Sequence, residues 1–269
     1  LDRMRFGLFI PQGWRLDLVG VEPADQWGVM SSVADRAESG GWDSIWVYDH
    51  FHTTPVPSRE ATHEAWTLMS ALAATTNRVK LGQMCTAMSY RNPAYLAKVA
   101  ATVDLISGGR TQMGIGGGWY EHEWRAYGYG FPSAGERLGR LDAGIQILRQ
   151  AWTEGSATLD GKYYQVDGAI CEPRPLQAGG IPLRRRVDGA QLVGVLDGPG
   201  GRGDGVVFRS VSYRTTADDR IEEAHGCAVG LQEMPLGHAC GRGLTAIPGF
   251  DTFGILIPVD EKGPAADAA

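Results

Sequence analysis

A chain of 269 residues with a net charge of −6 is long enough to bury a full core, and one α/β barrel of roughly 250 residues would use nearly all of it. The acidic balance, with no basic stripe, excludes an electrostatic footprint for nucleic acid and a basic helix for a membrane surface. No run approaches the roughly 20 apolar residues of a membrane span, and the N-terminus lacks a signal-peptide layout. The four cysteines (Cys85, Cys171, Cys227, Cys240) are scattered with no C-x-x-C among them, so the expectation is a soluble cytoplasmic protein without a disulfide framework or zinc ribbon.

The first half alternates short apolar runs with helical patterns. Met4 to Ile10 is an apolar run closed by Pro11 and Gly13 and reads as a buried strand. From Pro23 to Ser39, Trp27, Met30, Val33 or Ala34, and Ala37 recur at helical spacing, and Gly40-Gly41 stops the helix. Asp43 to Asp49 is the second strand. Ala65, Trp66, Leu68, Met69, Leu72 and Ala73 mark the second helix, and Arg78 to Thr86 the third strand. Asn92 then caps a helix with Pro93 at its first position and Gly108-Gly109 at its stop.

Arg110 to Gly118 is a fourth strand ending in glycines, and Gly116 to Glu123 is a polar, glycine-rich stretch after it. Leu138, Leu141, Ile145, Leu148 and Trp152 step by three and four along one buried helix face. Asp160-Gly161 marks a hairpin with a two-residue type I′ turn. Four strand–helix units in a row imply a parallel sheet with right-handed crossovers. Polar and glycine-rich residues follow the strands, where barrel enzymes place their chemistry, so a (β/α)₈ barrel is the expected architecture.

After Leu183 the pattern breaks. All eight tryptophans lie at or before Trp152, and the residues after Leu183 hold only Phe208, Tyr213, Phe250 and Phe253 as aromatics. Residues 216–224 form a weak helical pattern, Gly249 to Val259 reads as a strand, and 260–269 as a disordered tail. The expected organisation is therefore a barrel part over 1–183, a divergent segment over 184–259, and the tail. Lysine is scarce (Lys80, Lys98, Lys162, Lys262) against 21 arginines, as in GC-rich coding sequence. Two readings stand for the chain beyond 184: an altered reading frame, which resequencing the gene decides, or a diverged loop-rich segment. Met4 would be the natural start.

The stretch YDHFHTTPVPSREATHE, 48–64, gathers Asp49, His50, His52, Glu60, His63 and Glu64. His50 and His52 sit two apart at a strand end, so their side chains point to opposite faces, and no H-E-x-x-H is present; a metal site is disfavoured. His50 follows a barrel strand beside Asp49, which would orient the ring or steady an imidazolium. The plain rival is that both residues only bond neighbouring backbone. The glycines of GIGGGWYEHEW (114–124) would admit a planar ring or a tight turn, and Trp119 could stack. Glu121 or Glu123 would serve as the acid of a hydrolytic barrel only with a partner carboxylate.

The segments MRFGLFIPQG, WDSIWVYDHF, RVKLGQMCTAMSYRNPAYLAKVAATVDLISGGR, MGIGGGWYEHEWRAYG, ERLGRLDAGIQILRQAW and DGKYYQVDGA together resemble the bacterial luciferase-like monooxygenase superfamily, and more closely its branch dependent on the 8-hydroxy-5-deazaflavin coenzyme (F-420). The likeness runs from about Met4 to Leu183. It implies a (β/α)₈ barrel with the coenzyme ring at the C-terminal strand ends and a non-prolyl cis peptide at Met84-Cys85 in a bulge behind the ring. It also implies hydride transfer between the coenzyme and a small alcohol or carbonyl substrate, with His50 taking the proton beside Asp49. Met84, Cys85, Thr86, Gly116, Gly117, Gly118 and Trp119 would meet the coenzyme, and no metal is involved. An FMN-dependent monooxygenase and a defective remnant of the family are the alternatives. A small-molecule substrate and a possible homodimer complete the expectation. The family's later strand–helix units, which hold the coenzyme phosphate, cannot be traced beyond Leu183.

Overall fold

The computed structural model describes residues 5–186 and, beyond them, five strand segments at 192–195, 205–207, 213–215, 221–223 and 254–257. In chain order the elements are β1 (Arg5–Phe9), α1 (Pro23–Ser39), β2 (Ser44–Val47), α2 (Ala65–Thr75), β3 (Lys80–Ala87), α3 (Pro93–Ile106), β4 (Thr111–Gly116), α4 (Glu121–Ala126), α5 (Ala134–Glu154), β5 (Ser156–Asp160), β6 (Gln165–Ile170) and β7 (Leu183–Arg186). A turn of 3-10 helix, Met88–Tyr90, links β3 to α3. The remaining strands are β8 (Leu192–Val195), β9 (Gly205–Val207), β10 (Tyr213–Thr215), β11 (Ile221–Glu223) and β12 (Gly254–Ile257).

Strands β1, β2, β3, β4 and β7 lie side by side and parallel. They form an arc of the α/β barrel type that the alternating pattern predicts. Leu183–Arg186 is thus a fifth parallel strand, with Leu183 opposite Met113. Beyond it β8 and β9 run antiparallel, and β12 pairs antiparallel with β1 from the other side. The segment 184–259 and the tail 260–269 otherwise lie outside the described residues. The weak helical pattern at 216–224 is not realised at β11, which is extended and pairs with β10; so short a segment does not sustain an isolated helix.

The helices cover one face of the arc. Leu8, Ile45, Val47, Leu81, Met113 and Ile115 pack against Met30, Leu72, Leu96, Leu141 and Leu148 in one continuous core. The six apolar positions predicted for α2 are all buried, and Asn92 caps α3 by accepting from Ala94 and Tyr95 N–H. On α1 Met30, Ala34 and Ala37 are buried as expected, but Gln26 rather than Trp27 completes the inward face, and Trp27 is exposed. Gln26 goes inside because its amide is satisfied there, donating to Val21 O and bonding His63 Nε2.

Two further expectations are corrected. The hairpin is present, but its turn is a four-residue connection closed by Gly161 N–H donating to Tyr164 O at 3.0 Å, and Gly161 is outside the left-handed region. Tyr163 packs on Gly139 of α5, where a Cβ would overlap its ring, and so holds the tip down. The tight turn expected after β4 contains instead the short helix α4.

Two glycines separate crowding from freedom. A Cβ on Gly82 would overlap the buried Trp46 indole, whereas one on Gly28, in α1, meets nothing within 4 Å. Gly28→Ala is therefore expected to stabilise by about 0.5–1 kcal/mol and Gly82→Ala to destabilise by about 1–3 kcal/mol, as read from urea unfolding midpoints.

Candidate active site

The C-terminal ends of β1 to β4 and the helix α4 converge on His50. Its Nδ1 lies 2.9 Å from Glu123 Oε2; the His50 side chain is 12% exposed and that of Glu123 0%. Glu123 receives three more donors. Phe51 N–H and His52 N–H each donate to Oε1 at 2.8 Å, and Tyr90 Oη–H donates to Oε2 at 2.9 Å. Burial alone would raise the Glu123 carboxyl, but the bond to and charge of His50 and the amides of His52 and Phe51 outweigh it and hold the carboxyl below its ordinary range. An ionised carboxylate only accepts, so the neutral form of His50 carries its proton on Nδ1 and leaves Nε2 as the lone-pair nitrogen. Among the described residues Nε2 has no hydrogen-bond partner.

The local sequence explains how Glu123 gets there. Gly118 has φ +82°, and a Cβ on it would press on the fully buried Trp124 indole. That close approach seats Trp124 under the incoming chain and turns the neighbouring Glu123 toward the strand ends. Trp14 stacks flat on the His50 ring, with centroids 4.3 Å apart and planes 4° from parallel. Trp119 and Tyr120 present edges to it at 5.7 and 5.9 Å. Trp119 is 50% exposed, and the Arg15 guanidinium lies 5.0 Å over Trp14.

Asp49 does not orient His50, contrary to the sequence reading. Its carboxylate accepts from Arg91 at 2.7 and 2.8 Å and from Ala87 N–H at 2.8 Å. Arg91 also reaches Glu64 at 2.6 Å. The physical reason is alternation: successive residues at a strand end face opposite sides, so Asp49 turns toward β3 and α2 while His50 turns toward α4. Glu123, considered from sequence only as a hydrolytic acid, is the partner of the imidazole. The spacing of the sequence offers no signal for that pairing, because the two residues are 73 positions apart.

The other expected residues are dispersed around this centre. The Met84-Cys85 peptide is cis, and the β3–β4 register shifts between Gln83 and Thr86. Met84 is buried, Cys85 half-buried, and Thr86 donates its hydroxyl to Gln83 Oε1. A Cβ on Gly114 would run into Gln83 O, so the glycine of β4 makes room for the bulge. Gly116 ends β4, Gly117 lies against Arg137, and Gly118 lies against Trp124. His63 bonds Gln26, and His52 lies against His122 with ring centroids 5.1 Å apart. The polar stretch of 48–64 therefore divides into an imidazole bonded to Glu123, an ion pair with Arg91 and loop anchors. Among the described residues no group of three or more His, Cys, Asp or Glu side chains is arranged to hold a metal ion, and no helix is long and apolar enough to cross a membrane.

The family profile of the luciferase-like monooxygenases matches residues 4–193, and the chain belongs to that family. It is 38% identical over 160 residues to an F420-dependent glucose-6-phosphate dehydrogenase of Amycolatopsis mediterranei, covering 57% of this chain and 47% of that protein. It is 34% identical over 185 residues to its counterpart in Kineococcus radiotolerans, covering 68% and 52%. Among solved structures, an F420-dependent secondary alcohol dehydrogenase in complex with an F420–acetone adduct superposes with a TM-score of 0.56 at 26% identity, covering 68% of this chain and 52% of that one. The chain spans about half the length of the curated relatives it matches.

Glu64 is also held below its ordinary range, against burial, by bonds from Thr67 and by Arg91. Both carboxyls have depressed folded values, so their contribution to stability is present above the unfolded carboxylate value of about 4.3 and is lost as pH falls through the folded values. Urea midpoints are expected to be flat above that window and to fall below it. Glu123→Gln should be less stable near neutrality but lose less across the same acid range.

Proposed function

We propose that this chain carries the proton-transfer half of an oxidoreductase active site that works with a deazaflavin coenzyme on a small alcohol or carbonyl substrate. The observation that supports it best is the His50–Glu123 pair at 2.9 Å, which leaves an unpartnered imidazole nitrogen at the mouth of the parallel arc. The similar F420-dependent dehydrogenases, at 34–38% identity, favour the deazaflavin over FMN, the alternative.

The residues present fit a flat ring. The register shift of β3 between Gln83 and Thr86 opens the strand end, and Trp14 Nε1, beside His50, is a buried donor with no partner among the described residues. Met84, Cys85, the glycines and Trp119 would hold the ring. The bound coenzyme would accept or return a hydride.

The chain's own part is proton handling and exclusion of water. Nε2 accepts the proton of the substrate hydroxyl, and Glu123 steadies the imidazolium through Nδ1. In the reverse direction the same nitrogen donates. Trp14, Trp119 and Tyr120 shield the ring from bulk solvent and restrict it to one orientation. A small-molecule substrate, a cytoplasmic location and a homodimeric assembly belong to the same proposal.

His50→Ala is expected to lower turnover of simple secondary alcohols and of glucose 6-phosphate by about 10²-fold or more, followed by loss of the coenzyme's visible absorbance. Its coenzyme affinity should stay within a few-fold of the parent. Equal losses in turnover and affinity would count against the base role.

A further inference from the structure

We propose that Tyr90 is a positioning residue for the His50 base, sharing the Glu123 oxygen that holds the ring and thereby lowering the basicity of Nε2. The proposal deepens the reading of His50 as the proton acceptor, but its physical content is a titration that does not need turnover.

Glu123 Oε2 is the meeting point of two donors, His50 Nδ1–H at 2.9 Å and Tyr90 Oη–H at 2.9 Å. Each hydrogen bond to a carboxylate disperses its charge, so a second donor on the same oxygen leaves it a weaker acceptor for the first. Imidazolium at His50 is therefore less stabilised than it would be by an unshared carboxylate. The two amides of Phe51 and His52 on Oε1 act in the same direction but belong to the backbone. Tyr90 is the one donor of this set, besides His50 itself, that a side chain provides.

Tyr90 is held for the task. Its ring lies between Phe51, at 4.7 Å, and Tyr129, stacked at 5.2 Å. Its carbonyl accepts from Tyr129 Oη–H at 3.1 Å. The next residue, Arg91, is locked on Asp49 and Glu64, which fixes the backbone that carries the phenol. Burial first, then the Glu123 charge, push the Tyr90 hydroxyl well above its ordinary range, so it stays a neutral donor over the working range of an enzyme. The other groups facing His50 are Trp14, with Arg15 over it, from the β1 loop, and Trp119 and Tyr120 ahead of α4. The Asp49 charge after β2 is already neutralised by Arg91.

The test is an NMR titration of the histidine ring protons in the full chain, with the His50 signal assigned by its loss in His50→Gln. Tyr90→Phe keeps the ring and removes the hydroxyl; His50 should then titrate about one pH unit higher. Replacing Tyr90 by 3-fluorotyrosine, a stronger donor, should move it lower. An unmoved or lowered His50 titration in Tyr90→Phe, with a parent-like amide spectrum, overturns the proposal. Should Tyr90→Phe not fold, the fluorotyrosine protein decides alone: a downward move supports the proposal, and no move or an upward one overturns it. A protein without turnover whose His50 still responds as expected would refute the oxidoreductase reading and leave this one standing.

Discussion

A buried carboxylate is tolerable only when its charge is fully answered, and Glu123 is answered four times. That requirement organises the site. The two amides after the β2 end must point at α4, Tyr90 must reach across from the end of β3, and His50 must turn one ring nitrogen inward. Once those bonds are made, the orientation and tautomer of the imidazole follow. The free Nε2 is then a consequence of how a charge is housed.

The neighbouring ion pair plays a different part. Asp49, Arg91 and Glu64 tie β2, the start of α3 and the start of α2 into one rigid platform. Gln12 extends the platform to β1, donating to Tyr48 O and His63 O and accepting from Tyr48 N–H. Breaking one partner of such a buried pair leaves an uncompensated charge, so these residues constrain one another strongly. The His50–Glu123 pair sits on this platform, and its 2.9 Å separation depends on strand ends that cannot drift apart.

The fold of the first 186 residues is largely readable because its signals are local. Apolar periods, the Asn92 cap and the glycine stops concern residues within one turn or one strand of each other, and α2, α3 and α5 follow from them. The short α4 was hidden because a six-residue helix carries too little periodicity to stand out from the glycines before it. At the site, His50 was legible from its place after a strand. Its partner was not, because nothing in the sequence brings Glu123 to it across 73 positions; adjacency in the chain pointed to Asp49 instead. Strand alternation, which argues against His50 and His52 sharing a metal, argues equally against Asp49 serving His50.

Membership of the luciferase-like monooxygenase family fits a parallel arc whose buried polar residues gather at the C-terminal strand ends. His50, Tyr90 and Glu123 all lie among the described residues. The central claim is that a buried carboxylate fixes His50 with its proton on Nδ1 and a bare Nε2. Two-dimensional ¹⁵N–¹H spectra of the histidine-labelled protein, recorded where His50 is neutral, test it most directly. The account predicts a protonated Nδ1 and an unprotonated Nε2 for that residue, and a proton found on Nε2 would contradict it.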